Sequence, residues 1–213
     1  MIKVHHLTYN PFSENTYILS DEHNNAIIID PGMYFAEENA QFFEYINQQK
    51  LNPVRLILTH AHLDHVFGIN WVNQTYGLVP ELNILDQVVY DSAVPVANQY
   101  GLSMKPLVDC VNGLEDTTSF RFGDNEVIIT HAPGHSPGSV CFYSKTDGFI
   151  IAGDVLFQGS IGRTDLPGGD FDTLITSIRS RLFVLPDDVI VYSGHGPLTT
   201  IGQERISNPF LIS

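Results

Sequence analysis

Thr59-His60-Ala61-His62-Leu63-Asp64-His65 places three histidines and a carboxylate within six residues. An apolar, β-branched run, Val54 to Leu58, precedes it, and a run with helical periodicity follows over residues 66–77. The stretch therefore reads as a loop at the C-terminal end of a strand, leading into a helix. Imidazole plus carboxylate is a ligand set for zinc, iron or manganese. Four such groups so close in sequence cannot all face one ion. On a tight turn His60 and His62 share one side while Asp64 and His65 swing to another. That arrangement points to two cations, and two-metal sites of this kind hydrolyse bonds. A single structural metal would need Cys or His at closed tetrahedral spacing, and the two cysteines, Cys110 and Cys141, lie elsewhere.

The surroundings alternate strands and helices. Residues 2–8, 15–20 and 26–30 read as an antiparallel meander, the last a buried run closed by Pro31-Gly32. Residues 34–50 form an amphipathic helix with Phe35, Phe42, Phe43 and Ile46 on one face. Trp71 reads as core. A weaker helix over 84–100 is broken at Pro95, and 101–118 is irregular. Strands follow at 120–122, 126–131, 139–143 and 148–152, then a Gly- and Asp-rich loop over 158–170, a helix over 171–183 and a strand over 188–193. Similar order in both halves suggests two sheet-plus-helix halves packed sheet to sheet, which is α/β or α+β on the pattern alone.

Composition bounds the partners. The chain has 213 residues, 43% of them hydrophobic and 16% charged, which suits a packed core. Ten Lys and Arg stand against 24 Asp and Glu, a formal charge of −14. That disfavours nucleic acid and anionic membrane surfaces as partners. No apolar run is long enough to span a bilayer. The start, Met1-Ile2-Lys3-Val4-His5-His6, lacks the apolar stretch of a signal peptide. A cytoplasmic protein is expected. Cys141 lies in an apolar strand and reads as a buried thiol.

Three further sites extend the metal set. His135 sits in Ala132-Pro133-Gly134-His135-Ser136-Pro137-Gly138, a tight turn after a strand that can aim an imidazole inward. Asp154 ends the buried run Ile150-Ile151-Ala152-Gly153, where a carboxylate can bridge two cations. His195 lies in Ser193-Gly194-His195-Gly196-Pro197, again a strand end. Each follows an apolar strand, so all can converge at one edge of a sheet pair.

With these residues in place the chain resembles the metallo-β-lactamase superfamily. His60-x-His62-x-Asp64-His65, His135, Asp154 and His195 match its ligand pattern in order, over residues from about 15 to 205. The resemblance implies an α+β fold, a four-layer αββα sandwich with the metals at one edge, in a single domain spanning 1–213. It also implies that His60, His62 and His135 hold one divalent ion, that Asp64, His65 and His195 hold the other, and that Asp154 bridges them. Zinc is the first expectation, with iron or manganese as alternatives. True lactamases carry Cys or Ser in place of Asp154, and flavo-diiron proteins carry Glu in place of His62. The pattern, with Gly159-Ser160-Ile161-Gly162-Arg163-Thr164-Asp165, is most similar to the short glyoxalase II-like subgroup. Glyoxalase II proper has an additional C-terminal helical domain that helps bind glutathione, and a chain ending at Ser213 is expected to lack it.

The resemblance implies a metal-dependent hydrolase acting on a small anionic thioester such as S-lactoylglutathione. A hydroxide between the cations would attack the carbonyl, a metal would stabilise the oxyanion, and the thiolate would leave without a strong general acid. Asp64 and Asp154 are the candidate catalytic carboxylates. Two other readings stand beside it: a persulfide dioxygenase of the same superfamily using one iron, and a non-catalytic metal-binding module. Arg163 occupies the place where glyoxalase II has a glutathione-contacting lysine, so it is a candidate for substrate binding, as are Tyr143 and Lys145. Otherwise Arg163 orders its loop by pairing with Asp165 or Asp170. His131 is expected beside the ligands rather than among them, and His5, His6 and His23 on the surface.

Overall fold

A computed structural model describes residues 1–212. Its strands and helices in chain order are β1 (Lys3–Tyr9), β2 (Glu14–Ser20), β3 (Asn25–Ile29), α1 (Ala36–Gln48), β4 (Asn52–Ile57), α2 (Ile69–Tyr76) and β5 (Pro80–Leu82). Then come α3 (Gln87–Asp91), α4 (Ala93–Gln99), β6 (Val111–Asn112), β7 (Ser119–Phe122), β8 (Asn125–His131), β9 (Val140–Ser144) and β10 (Phe149–Gly153). The chain closes with β11 (Leu156–Phe157), β12 (Ser160–Ile161), α5 (Phe171–Ser177), β13 (Ile190–Ser193), β14 (Thr199–Thr200) and α6 (Ile201–Ser207).

Among the described residues there are two six-stranded sheets, ordered β1-β2-β3-β4-β5-β6 and β14-β13-β10-β9-β8-β7, and a small β11-β12 hairpin. The expected meander is present: β1, β2 and β3 pair antiparallel, with Leu19 opposite Ile27 and Tyr17 opposite Ile29. From β3 onward the first sheet is parallel, because α1 and α2 carry the chain back over one face. β3 is apolar without alternation because it is covered on both sides.

Four layers follow from where the apolar faces go. Tyr17, Leu19, Ile27 and Ile29 of the first sheet meet Ile129, Val140, Phe142 and Ile151 of the second in an apolar interior. The outer face of the first sheet, through Ile18, Ile28 and Leu56, packs on Phe42 and Ile46 of α1 and Val72 of α2. The outer face of the second, through Cys141, Ile150 and Val191, packs on Leu174, Ile178 and Ile201. This is the αββα sandwich expected. Cys141 is fully buried, which pushes its thiol up to about 12.

Several local expectations change. Phe35 and Phe43 are 47% and 46% exposed, because only Phe42 and Ile46, four apart, point down onto the sheet. Pro95 does not break a helix. It lies in the first turn of α4, where its missing N–H has no intrahelical acceptor to lose, and the break falls at Ser92. Asn52 and Pro53, soon after the end of α1, already belong to β4. The 171–183 helix changes to a π-helical turn over Ile178–Leu182.

Candidate metal centre

Strand direction assembles the site. β8 and β10 each pair antiparallel with β9, and β10 pairs parallel with β13, so β8, β10 and β13 all point the same way. Their C-terminal ends therefore deliver His135, Asp154 and His195 to one edge. β4 of the other sheet delivers residues 60–65 to the same place. The loop forms no full helix at once but a single 3-10 turn, Leu63–His65, which sends successive side chains to different sides.

The structure brings all seven expected ligands together, in two clusters. His135 Nε2 lies 3.2 Å from His60 Nε2 and 2.8 Å from His62 Nδ1. His195 Nε2 lies 3.1 Å from Asp64 Oδ2, and His65 Nε2 lies 3.8 Å from the same oxygen. Asp154 stands between the clusters. Its Oδ1 is 3.4 Å from His65 Nε2, and its Oδ2 is 3.5 Å from both His135 Nε2 and His195 Nε2.

The electrostatics of the two clusters differ. Burial drives His60 well below its usual pKa, and burial together with His135 lowers His62 to about 3. His60 and His62 are thus held neutral, and their lone pairs turn toward the point where His135 Nε2 also lies. In the second cluster burial opposes charge, but the Asp154 and Asp64 carboxylates raise His65 far above its ordinary value. His195 is raised likewise, chiefly by Asp64. Burial would raise Asp154, but the His65 imidazole beside it holds the carboxylate low. A field that favours positive charge so strongly at two imidazoles would equally favour a divalent cation in their place.

A cation at each cluster fits the donor set. His65 Nε2 and Asp154 Oδ1 are buried and have no hydrogen-bond partner. The far nitrogen of each of four imidazoles is already held. His60 Nδ1 meets Thr59 Oγ1 at 3.0 Å, His65 Nδ1 meets Asp30 Oδ2 at 3.0 Å, His135 Nδ1 meets the Arg163 carbonyl at 2.7 Å, and His195 Nδ1 meets the Phe12 carbonyl at 3.1 Å. Such contacts fix the ring and leave the other nitrogen's lone pair for a metal. At Gly194 a Cβ would run into the Asp154 carboxylate and the His65 ring, so the backbone there must be bare.

Two buried acids outside the expected ligand set hold its loops in place. Asp30, in a left-handed conformation at φ 51°, accepts from Thr59 N at 2.7 Å, Thr59 Oγ1 at 2.5 Å and His65 Nδ1. It lies within 4.8 Å of His60 and His65, but its oxygens are engaged, so it positions ligands rather than being one. Its signal was available: Ala26-Ile27-Ile28-Ile29-Asp30 has the same buried-strand-then-acid form as the run that ends at Asp154. Asp86 accepts from Ala61 N at 2.7 Å, Ser136 Oγ at 2.5 Å and Gly138 N at 2.6 Å, tying the two histidine loops together. No local pattern marks it.

A cleft of about 710 Å³ opens over the clusters, lined by His62, Asp64, His135, Asp154 and His195 at its base and by Arg163. The guanidinium of Arg163 is forked onto Asp165 by two bonds of 2.7 Å. Tyr143 and Lys145 do not belong to the cleft, which corrects their expected role. β9 runs against β8 and β10, so its end lies at the opposite edge of the sheet. There Tyr143 packs into the outer core, and Lys145 is exposed in the following turn. His131 stays outside the clusters, as expected, and its Nε2 binds the Pro137 carbonyl at 2.8 Å, bracing the His135 loop.

Comparison with known proteins agrees with this geometry. The family model described as the metallo-beta-lactamase superfamily matches residues 9–195. The chain is 41% identical over 209 residues to a hydroxyacylglutathione hydrolase, GloC, of Haemophilus influenzae, covering 95% of this chain and 94% of that protein. Among solved structures it is similar to the BLEG-1 B3 metallo-beta-lactamase, at 35% identity and a TM-score of 0.88, covering 99% of this chain and all of the other. It is also similar to TTHA1623 in a di-iron-bound form, at 37% identity and a TM-score of 0.86, covering 97% and 100%.

Proposed function

The chain belongs to the metallo-beta-lactamase superfamily, and on that premise we propose that this metallo-hydrolase cleaves thioesters in the manner of glyoxalase II. The observation that carries the reading is the second cluster. Asp64, His65 and His195 complete a site beside the three-histidine one, with Asp154 placed between the two. A one-iron dioxygenase of the superfamily keeps similar residues but uses one ion, so the number of ions bound separates the two readings. In this reading His60, His62 and His135 hold one cation, Asp64, His65 and His195 the other, and Asp154 both. Zinc, iron or manganese each suits the nitrogen and oxygen donors, and the di-iron form of TTHA1623 favours weighing iron beside zinc. When bound, two divalent cations supply an acidified water and charge stabilisation at the reacting carbonyl.

The chain's own residues do the rest. Asp64 and Asp154 line the cleft base and orient the attacking water. Water oxygen bonds to the carbonyl carbon, the C–S bond breaks with its electron pair on sulfur, and a carboxylic acid and a thiol leave. The thiolate is a good leaving group, so no strong acid is required of the cleft, whose one guanidinium is engaged by Asp165.

The test is loss of the S-lactoylglutathione thioester by metal-loaded protein, with and without a chelator, beside oxygen uptake on glutathione persulfide. Chelator-sensitive hydrolysis without oxygen uptake supports the proposal. Oxygen uptake by a protein holding one iron replaces it with the dioxygenase.

Arg163 is the candidate contact for a carrier carboxylate, but Asp165 already occupies its fork, and the pair is more than half exposed. A substrate carboxylate would have to displace Asp165. Arg163→Ala should therefore raise KM for S-lactoylglutathione only about two- to fivefold, with kcat little changed. Asp165→Asn should lower KM. Steady-state kinetics of both variants check this, and a KM that rises in both would assign the pair to loop order alone.

A further inference from the structure

Helices α3 and α4 are apolar on two stripes. One stripe, Tyr90, Ala93 and Ala97, is buried in the core beside Leu58, Val66 and Ile69. The other, Val88, Val89, Val96 and Tyr100, recurs at helical spacing and lines the cleft. A surface helix ordinarily carries polar residues on the face it turns away from the core. Here Val88 is 67% exposed and Tyr100 51%, with Val89 and Val96 half-buried. Phe12 sits edge-on to Tyr100 at 5.6 Å, and Phe157 and Leu166 line the same space. Ser92 and Ser160 also line this cleft, but its carboxylates and imidazoles gather at its base, at the ligand clusters. Its lysine and arginine complement is Arg163, which is neutralised by Asp165. An apolar wall above a polar reacting centre is the form of a site that binds a greasy group and holds its reactive end against the metals.

Resting on the thioesterase reading, we propose that the stripe Val88-Val89-Val96-Tyr100 binds an apolar acyl chain, so that the preferred substrates are medium-chain acyl thioesters rather than the short, hydroxylated lactoyl ester. The volume suits a chain of several carbons beside the thioester. Extension along the wall removes methylenes from water at up to about fourfold in binding for each one. A lactoyl group offers the wall only one methyl to bury.

The experiment has a kinetic and a binding arm on the metal-loaded protein. The kinetic arm compares kcat/KM for S-acetyl-, S-butanoyl-, S-hexanoyl- and S-lactoylglutathione. The expected result is a rise along the series, with the hexanoyl ester about tenfold or more above the lactoyl ester. The binding arm compares the thioethers S-hexylglutathione and S-methylglutathione by calorimetry, which needs no turnover. The hexyl compound should bind about tenfold or more tightly. Val96→Asp should collapse both ratios toward one. Val88→Asp, at the more exposed position, should reduce them in a chain whose core is untouched. Hexyl preference that disappears in these variants, without hydrolysis of any ester, would keep the apolar site and overturn the thioesterase reading. Hydrolysis with a flat or lactoyl-favouring series, and equal binding of the two thioethers, would keep the thioesterase and overturn this proposal. Ratios unmoved by either variant would also overturn it.

Discussion

Asp154→Asn is expected to reduce thioester hydrolysis by about three orders of magnitude or more and to lower bound metal in both clusters at once. Asp154 lies between His65, His135 and His195 at 3.4–3.5 Å. The amide keeps the size of the carboxylate but removes its charge and turns one oxygen into a donor. That donor would face imidazole nitrogens whose lone pairs should meet a cation. The loss is therefore electrostatic and shared, unlike His62→Ala, which touches the first cluster only. Elemental analysis and kinetics on the same preparation check it. Two ions per chain and ordinary turnover in Asp154→Asn would rule out the shared role.

Asp86→Ala is expected to have the largest effect on stability of any change outside the ligands. The carboxylate is fully buried and takes three donors, two of them backbone N–H groups in the loops that carry His62 and His135. Alanine leaves those donors without an acceptor, at ~1–3 kcal/mol each where no water replaces it. A net loss of about 3–5 kcal/mol is expected, or roughly 10 °C in Tm for a chain of this size. Because the two loops also lose their tie, metal affinity should fall by about 10–100-fold. Thermal unfolding with and without added metal measures both. Burial raises the Asp86 carboxyl, but its three donors oppose that rise. An unchanged Tm would show that water fills the gap and that Asp86 does not organise the site.

The ligand loops are legible in the sequence because their signal is local. Each is a buried strand followed at once by His or Asp between small residues, and strand ends cannot lie far from the sheet edge. Asp30 carries the same signal and can be read the same way. Asp86 cannot, because what makes it important is that residues 61, 136 and 138 converge on it from elsewhere in the chain. Lys145 is instructive in the opposite sense. It sits in a short turn before β10, whose end at Gly153 precedes Asp154, so the five residues of that strand separate it from the clusters by about 17 Å. The α1 face differs from the sequence pattern for a related reason: Phe43 follows Phe42 but points about 100° away from it around the helix. The second apolar stripe of α3 and α4 looks in sequence like ordinary core, and only the assembled cleft shows that it faces open space. No helix among the described residues is long and apolar enough to cross a membrane, in keeping with the absence of such a run in the sequence.

In the proposed reading seven side chains form one centre for two cations. Metal stoichiometry at saturation, by elemental analysis of protein loaded in turn with zinc, iron and manganese and freed of excess, tests it most directly. Two ions per chain are expected with the metal that supports hydrolysis, falling to one in His195→Ala. One ion per chain in the unaltered protein, whatever the metal, would contradict it.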